Sequence, residues 1–376
     1  MPTGACPVIL YTRPGADRMV LMNTMNAFVL HGAKDMRLET GRTRPRIGDK
    51  DVLIRITRVG ICGSDIHYYQ EGYIGRFIPK APFALGHEFS GTIDAAGAAV
   101  TSCKTGDRVT VEPSISCGEC FYCRSGRYNL CLNMKFYGSA SCFPHIDGGF
   151  AEYVLAPERN VIVIPDSMGF DEAAFVEPLS VGMHAVLRAQ SALGPRGFAG
   201  RTGLVTGGGT IGQTVLLAAR AMGIQRIAVS DVAEFPRSVA GKMGADRSFN
   251  PAAESFVQEV ADFVPQGFDV VFEASGSPRA LSQALELAGR GATVVQIGTQ
   301  PAEASLPVNL VMSKELNVVG SFRYAHVFPL VTDLIATKRV DVRPLITQTY
   351  RFEKMQEAMD KAISKEDVIK VQVEFS

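Results

Sequence analysis

The sequence has no net charge, with 38 Lys and Arg set against 38 Asp and Glu. A balanced surface offers no field to gather a polyanion, so neither nucleic acid nor an anionic membrane surface is an expected partner. Long apolar runs are missing too. The stretch 215–219 is flanked by Gln213 and Arg220, far short of the ~18 residues of a membrane span. Internal repeats and low-complexity segments are absent, which sets aside solenoid architectures. A secretory leader is not expected either, because the apolar patch 7–11 is short and is followed by Arg13, Asp17 and Arg18. Residues 1–24 are expected to form a tail, with Met19, Met22 and Met25 as alternative starts, and the protein is expected in the cytoplasm.

The chain does have enough apolar material for a large core. With 376 residues and 46% hydrophobic composition, it is expected to form two or three globular domains. Such a chain needs no disulfide staples, yet it holds eight cysteines, four of them between Cys117 and Cys131. Metal binding in a reducing compartment explains that clustering better than cross-linking does. Cys6, Cys103 and Cys142 have no spaced partner and read as ordinary residues.

Up to about Pro165 the apolar residues come in short alternating runs. In 51–59, Val52, Ile54 and Ile56 face one way while Arg55 and Thr57 face the other. Segments 91–95, 107–112, 150–155 and 160–164 are similar, so this half reads as mostly β. Near Glu177 the pattern turns helical over 179–189. Continuous apolar strands at 204–206, 226–230, 269–273 and 293–297 then alternate with helices such as 211–222 and 279–288, as expected of a parallel sheet covered on both faces. Residues 369–375 read as a last strand returning to the first domain.

Thr206-Gly207-Gly208-Gly209-Thr210-Ile211-Gly212 has the G-x-G-x-x-G spacing after a strand and before a helix. Gly207 serves a tight turn, Gly209 a close approach of backbone to a pyrophosphate, and Gly212 close packing of helix on strand. Asp231 ends the next strand, where a carboxylate accepts from an adenosine ribose and repels a 2′-phosphate, favouring NAD over NADP. The spacing of Cys117, Cys120, Cys123 and Cys131 suits a closed, tetrahedral structural zinc site. An iron–sulfur cluster is the rival, although its fourth cysteine normally precedes proline and here Leu132 follows.

The stretch 59–88 offers a thiol and an imidazole, Cys62 and His87, each beside glycine. A metal held by such a pair keeps positions open for substrate. Candidates for a further ligand are Glu88, next to His87, and Glu177, in an apolar run where an unpaired carboxylate is costly. Zinc in such a site acidifies an alcohol, from which hydride passes to nicotinamide. The alcohol proton needs an exit, and Ser64 and His67 are candidate relay residues. The alternative for His67 is a structural hydrogen bond. His184 reads as a core histidine, while His31 and His326 carry no signal.

Gly60-Ile61-Cys62-Gly63-Ser64-Asp65, Gly86-His87-Glu88-Phe89-Ser90-Gly91, Gly106-Asp107-Arg108-Val109, the cysteine cluster, Glu177-Pro178-Leu179-Ser180-Val181-Gly182 and the glycine fingerprint together resemble the zinc-dependent medium-chain dehydrogenases. The resemblance runs from Met25 to the C-terminus. It implies an α/β protein: a GroES-like, mostly β catalytic domain over 25–178 with a structural-zinc loop at 113–135, a Rossmann NAD-binding domain with a doubly wound parallel sheet over 179–320, and a return to the catalytic domain over 321–376. Glu177, where alcohol dehydrogenases carry cysteine, and Gly320-Ser321-Phe322-Arg323-Tyr324 are similar to the sorbitol dehydrogenase branch. For that branch the resemblance implies catalytic zinc at Cys62, His87 and Glu88, with Glu177 bound directly or through water. It also implies substrate contacts at Tyr68, Arg323 and Tyr324, and coenzyme contacts at Gly207, Gly209, Thr210, Ile211, Gly212, Asp231, Ile297, Phe322 and Arg323.

Tyr137-Gly138-Ser139-Ala140 and Phe143-Pro144-His145-Ile146-Asp147-Gly148-Gly149-Phe150 resemble the L-idonate 5-dehydrogenases more than the sorbitol enzymes. Aldonates carry a carboxylate, for which Arg323 offers a planar fork; His145 either assists or lines the loop. Pro236 stands where a cofactor-contacting arginine is usual, and Arg237 is its neighbour. The resemblance therefore implies an NAD-dependent oxidoreductase acting on a secondary alcohol of a sugar acid or polyol. L-Idonate at C5 is the first expectation, sorbitol or xylitol the second, and the assembly is expected to be a homodimer or homotetramer. A catalytically silent NAD-binding relative is expected to lose Cys62, His87 or Glu177, and all three are present.

Overall fold

The computed structural model describes residues 23–375. Most of the expected tail, with Cys6, Met19 and Met22, lies outside the described residues.

The strand Asp51–Gly60 is the hub of the first half. It pairs antiparallel with Glu88–Ala96, Tyr153–Pro157 and the last strand, Lys370–Glu374. Arg108–Val111 and Val161–Val163 extend the sheet on one side, and Ile346–Arg351 on the other. Val52, Ile54 and Ile56 are buried against Phe89, Val109 and Val373, so the two-residue period of the sequence does fix one core face. Leu53, on the opposite face, is also buried, because Thr24–Gly32 brings Met25, Ala27 and Val29 over it.

The second half contains a six-stranded parallel sheet. Its order is Arg247–Phe249, Arg226–Ser230, Thr202–Thr206, Phe268–Glu273, Ala288–Gln296, Asn317–Gly320. Chain order reverses between the strands starting at Thr202 and Phe268, and that switch point opens a crevice at their C-terminal ends. Leu204, Val205, Ala228, Val229, Val270 and Val271 are fully buried, as expected of strands covered on both faces.

The helix Val176–Leu193 links the halves and buries Val176, Leu179, Met183 and Val186. It begins three residues before the periodic stretch at 179 because Pro178 sits in the first turn, where its missing N–H costs no hydrogen bond. Gly182 lies against Thr214 of the helix Thr210–Ala221; a Cβ there would come within 2.6 Å of Thr214. The first turn of the helix Val176–Leu193 carries Glu177, buried within reach of the charges of His87, Glu88 and Cys62. Among the described residues, no helix is long and apolar enough to cross a membrane.

Candidate active site

Cys62 is the N-cap of the helix Gly63–Glu71, and Asp65 closes a capping box with it, its Oδ2 accepting from the Cys62 N–H at 2.9 Å. Asp65 Oδ1 accepts from Gly86 N–H at 3.1 Å. One buried carboxylate therefore pins both segments that carry the expected ligands. Gly86 makes the turn into His87 with φ +89, and a Cβ there would meet the Phe150 ring at 2.5 Å. In the ladder Gly60 faces Glu88, and a Cβ on Gly60 would lie 2.1 Å from the Glu88 carboxylate. Gly86 and Gly60 are thus required by the side chains they admit, whereas a Cβ on Gly63 would meet nothing within 4 Å.

Ligand atoms of Cys62, His87 and Glu88 converge to within 4.8 Å of one another. His87 is buried, and its Nδ1, 3.8 Å from Asp65 Oδ1, has no hydrogen-bond partner. Burial pushes the Cys62 thiol up to about 12, and the Glu88 carboxylate adds to the effect. Glu177 is pushed up to about 8 by burial, pulled back by His87 and pushed further by Glu88 and Cys62. Three acidic groups that repel one another beside an unsatisfied imidazole fit a divalent cation: Cys62, His87 and Glu88 would hold it, while Glu177 feels the charge of all three from outside that cluster.

Sequence reasoning missed a partner here. Lys370, 3% exposed, donates to both Glu88 oxygens at 2.8 Å and to the Ile61 carbonyl at 3.0 Å. Glu88 therefore has two possible roles, metal ligand and counter-ion of Lys370. The signal was a lysine inside the apolar run Val368-Ile369-Lys370-Val371, since a buried ammonium needs a carboxylate.

The four thiols of Cys117, Cys120, Cys123 and Cys131 also lie within 4.8 Å of one another, with Sγ separations of 3.4 Å for 117–131, 3.5 Å for 120–123 and 3.9 Å for 117–123. The backbone N–H groups of Leu132 and Cys123 hold Cys120 down to about 6, while burial and neighbouring thiols push Cys123 up to about 12. Amides aimed at sulfur together with crowded thiols fit a closed thiolate site for zinc.

At the switch point the glycine fingerprint has the expected geometry. Gly207 has φ +90, and a Cβ on Gly212 would lie 1.8 Å from the Gly207 carbonyl oxygen. Asp231 accepts from Gly208 N–H at 2.7 Å and from Ala233 N–H at 2.8 Å. A cleft of about 190 Å³ runs past Gly207, Asp231, Pro251, Ser277 and Arg279, a lining that fits a nucleoside. The Thr210 hydroxyl is bound to the Ile369 carbonyl, leaving its backbone N–H at the helix start for a phosphate. Arg237 donates to the carbonyls of Asp231 and Val232, so it shapes the turn rather than facing a ligand.

The expected substrate residues divide. Tyr324 is fully buried with its hydroxyl against the Glu177 carboxyl, and burial together with Glu177 pushes the phenol well above its usual range. The Arg323 guanidinium lies 4.4 Å over the Phe136 ring, which is 5.4 Å from the His87 ring. The Tyr68 hydroxyl accepts from Ala140 N–H at 3.0 Å and meets Ser139 at 3.3 Å, tying its helix to the distant loop at 139–140. Of the two readings of His145, substrate contact or loop scaffold, its hydrogen bonds match the second: its Nδ1 meets the Cys142 carbonyl at 2.7 Å and its Nε2 accepts from Lys80 N–H at 2.9 Å, so both ring nitrogens are engaged within the protein. His67 is 53% exposed and paired with Glu71 one turn on, which is the structural alternative to a relay role. Ser64 stands beside the Cys62 thiol and Ile297 is half-buried, while Phe322 is 51% exposed.

The chain is similar to known proteins over most of its length. Residues 48–166 match the alcohol dehydrogenase GroES-like domain, and residues 210–337 match the zinc-binding dehydrogenases. Sorbitol dehydrogenase of Bacillus subtilis (strain 168) is 38% identical over 353 residues, spanning 93% of this chain and 97% of that protein. L-Idonate 5-dehydrogenase of Vitis vinifera is 36% identical over 334 residues, or 87% of this chain and 88% of that one. The crystal structure of L-idonate 5-dehydrogenase from Escherichia coli aligns with a TM-score of 0.85 at 34% identity, covering 94% of this chain and 98% of that one. The chain belongs to the zinc-dependent medium-chain dehydrogenases, in their polyol and sugar-acid group, oxidoreductases that use zinc and NAD.

Proposed function

We propose that this chain oxidises a secondary alcohol of a sugar acid, with C5 of L-idonate the first assignment: the carbinol carbon loses hydride to NAD, its hydroxyl loses a proton to solvent, and a ketone forms. The observation that carries the acid over a neutral polyol is Arg323. Burial lowers its pKa, Tyr324, Tyr68 and Glu177 oppose that shift, and the guanidinium has no hydrogen bond or ion pair among the described residues. A desolvated guanidinium without a carboxylate suits a substrate that brings one.

When bound, zinc supplies Lewis acidity toward the substrate hydroxyl and NAD accepts the hydride. The chain's own residues do the positioning. Asp65 pins the backbone at Cys62 and Gly86 that carries two of the ligands, Lys370 holds Glu88, and the Tyr324 hydroxyl beside Glu177 offers a hydrogen bond to a substrate hydroxyl. Asp231 favours a free 2′-hydroxyl on the coenzyme.

The test is Arg323→Leu assayed with L-idonate and sorbitol side by side. A charge-assisted bidentate pair is worth roughly 10- to 100-fold, so kcat/KM for the acid should fall by about that factor and the neutral polyol by much less. Equal losses would remove the carboxylate assignment.

A further inference from the structure

Arg323 and Tyr324 sit in 322–326, a segment between the strand Asn317–Gly320 and the helix Phe328–Ala336 that belongs to neither. Two of its residues, Arg323 at φ +52 and His326 at φ +61, hold the left-handed conformation without being glycine. Backbone of that kind persists only where its surroundings dictate it.

Arg323 packs on Phe136 and Tyr324 lies in the core, but the hydrogen bonds to Phe322 and His326 at the two ends come from a single loop. Asn129, 7% exposed, donates from Nδ2 to the Phe322 carbonyl at 2.9 Å. The Tyr128 hydroxyl accepts from His326 N–H at 2.9 Å, and the two rings pack edge to face at 4.8 Å. The His326 Nε2 meets the Gly126 carbonyl at 2.8 Å. All three contacts come from 126–129, the part of the loop that Cys123 and Cys131 close. Both ends of the substrate segment are therefore fastened to a piece of chain whose own shape depends on the thiol cluster.

We propose that Tyr128 and Asn129 are positioning residues of the substrate site: the loop between Cys123 and Cys131 is a clamp that holds 322–326 in the conformation that aims Arg323 and Tyr324 at the metal centre. The proposal rests on the assignment of those two residues to substrate. It gives the cysteine loop, more than 100 residues away in sequence, a direct part in substrate affinity.

The test uses the zinc-replete full chain with Tyr128→Phe, Asn129→Ala and the double variant, read in three ways. Amide hydrogen exchange over 322–326 should quicken by about tenfold or more per lost bond, while exchange in the parallel sheet stays as it was. The KM for L-idonate should rise by about tenfold with affinity for NADH, followed by its fluorescence, changed less than twofold. Zinc content should be unchanged. Wild-type exchange over 322–326 in the double variant would overturn the clamp, because the segment would then hold itself. Faster exchange with an unchanged substrate KM would overturn its part in substrate binding. Arg323→Leu in parallel separates the two claims: an unchanged substrate KM there overturns the substrate assignment, whereas the exchange rates decide the clamp alone.

Discussion

Glu112 gives a prediction that depends on neither metal nor substrate. It follows the strand Arg108–Val111, and its Oε1 is buried without a hydrogen-bond partner. Burial pushes the carboxyl from 4.5 up to about 7, with the Tyr128 hydroxyl and His326 holding it back. The folded state therefore binds this proton more tightly than the unfolded chain does. That contribution to stability is fully present below about pH 4.5 and is lost as the pH rises through about 7. A shift of about 2.5 units corresponds to about 3 kcal/mol. Glu112→Gln keeps the shape and removes the titration. Urea unfolding of variant and wild type at about pH 4.5 and about pH 8 should show the variant gaining about 3 kcal/mol relative to wild type at the higher pH, while other titrations cancel in the difference. A difference that does not move with pH would refute the reasoning.

Three further outcomes follow from the geometry. Lys370→Met leaves Glu88 buried without its cation, so the metal-free protein should lose about 3–5 kcal/mol in chemical unfolding; a loss under about 1 kcal/mol would mean that water replaces the ammonium. Gly212→Ala puts a methyl group inside the Gly207 carbonyl, and NADH fluorescence titration should show coenzyme binding lost. Asp231→Ser removes the carboxylate that repels a 2′-phosphate, so the ratio of kcat/KM for NADP over NAD should rise at least tenfold, and an unmoved ratio would deny Asp231 that role.

What could be read from the sequence was what depends on neighbours along the chain. The alternation of Val52, Ile54 and Ile56, the apolar strands 226–230 and 269–273 and the glycines of the fingerprint all report local backbone geometry, and the structure places each within a residue or so of its expected span. Cys62, His87 and Glu88 were nameable because the glycines near them mark where side chains need room: Gly86 turns the chain into His87, and Gly60 faces Glu88 across the ladder. The features that escaped are made by distant pairing. Lys370 reaches Glu88 only because the last strand joins the first sheet, and Tyr128, Asn129 and His326 meet only across the clamp. His326 carried no sequence signal because it acts through its backbone N–H and a carbonyl partner. His145 was read from its place in a motif, but which way its ring nitrogens point is set by Lys80 and Cys142 and cannot be inferred from spacing.

The assignment to an acid substrate is tested most directly by initial rates of NAD reduction on zinc-replete protein with L-idonate, gluconate, sorbitol, xylitol and altritol side by side. The account predicts the highest kcat/KM for L-idonate, with the neutral polyols well below it. Sorbitol turned over far better than either aldonate would contradict it.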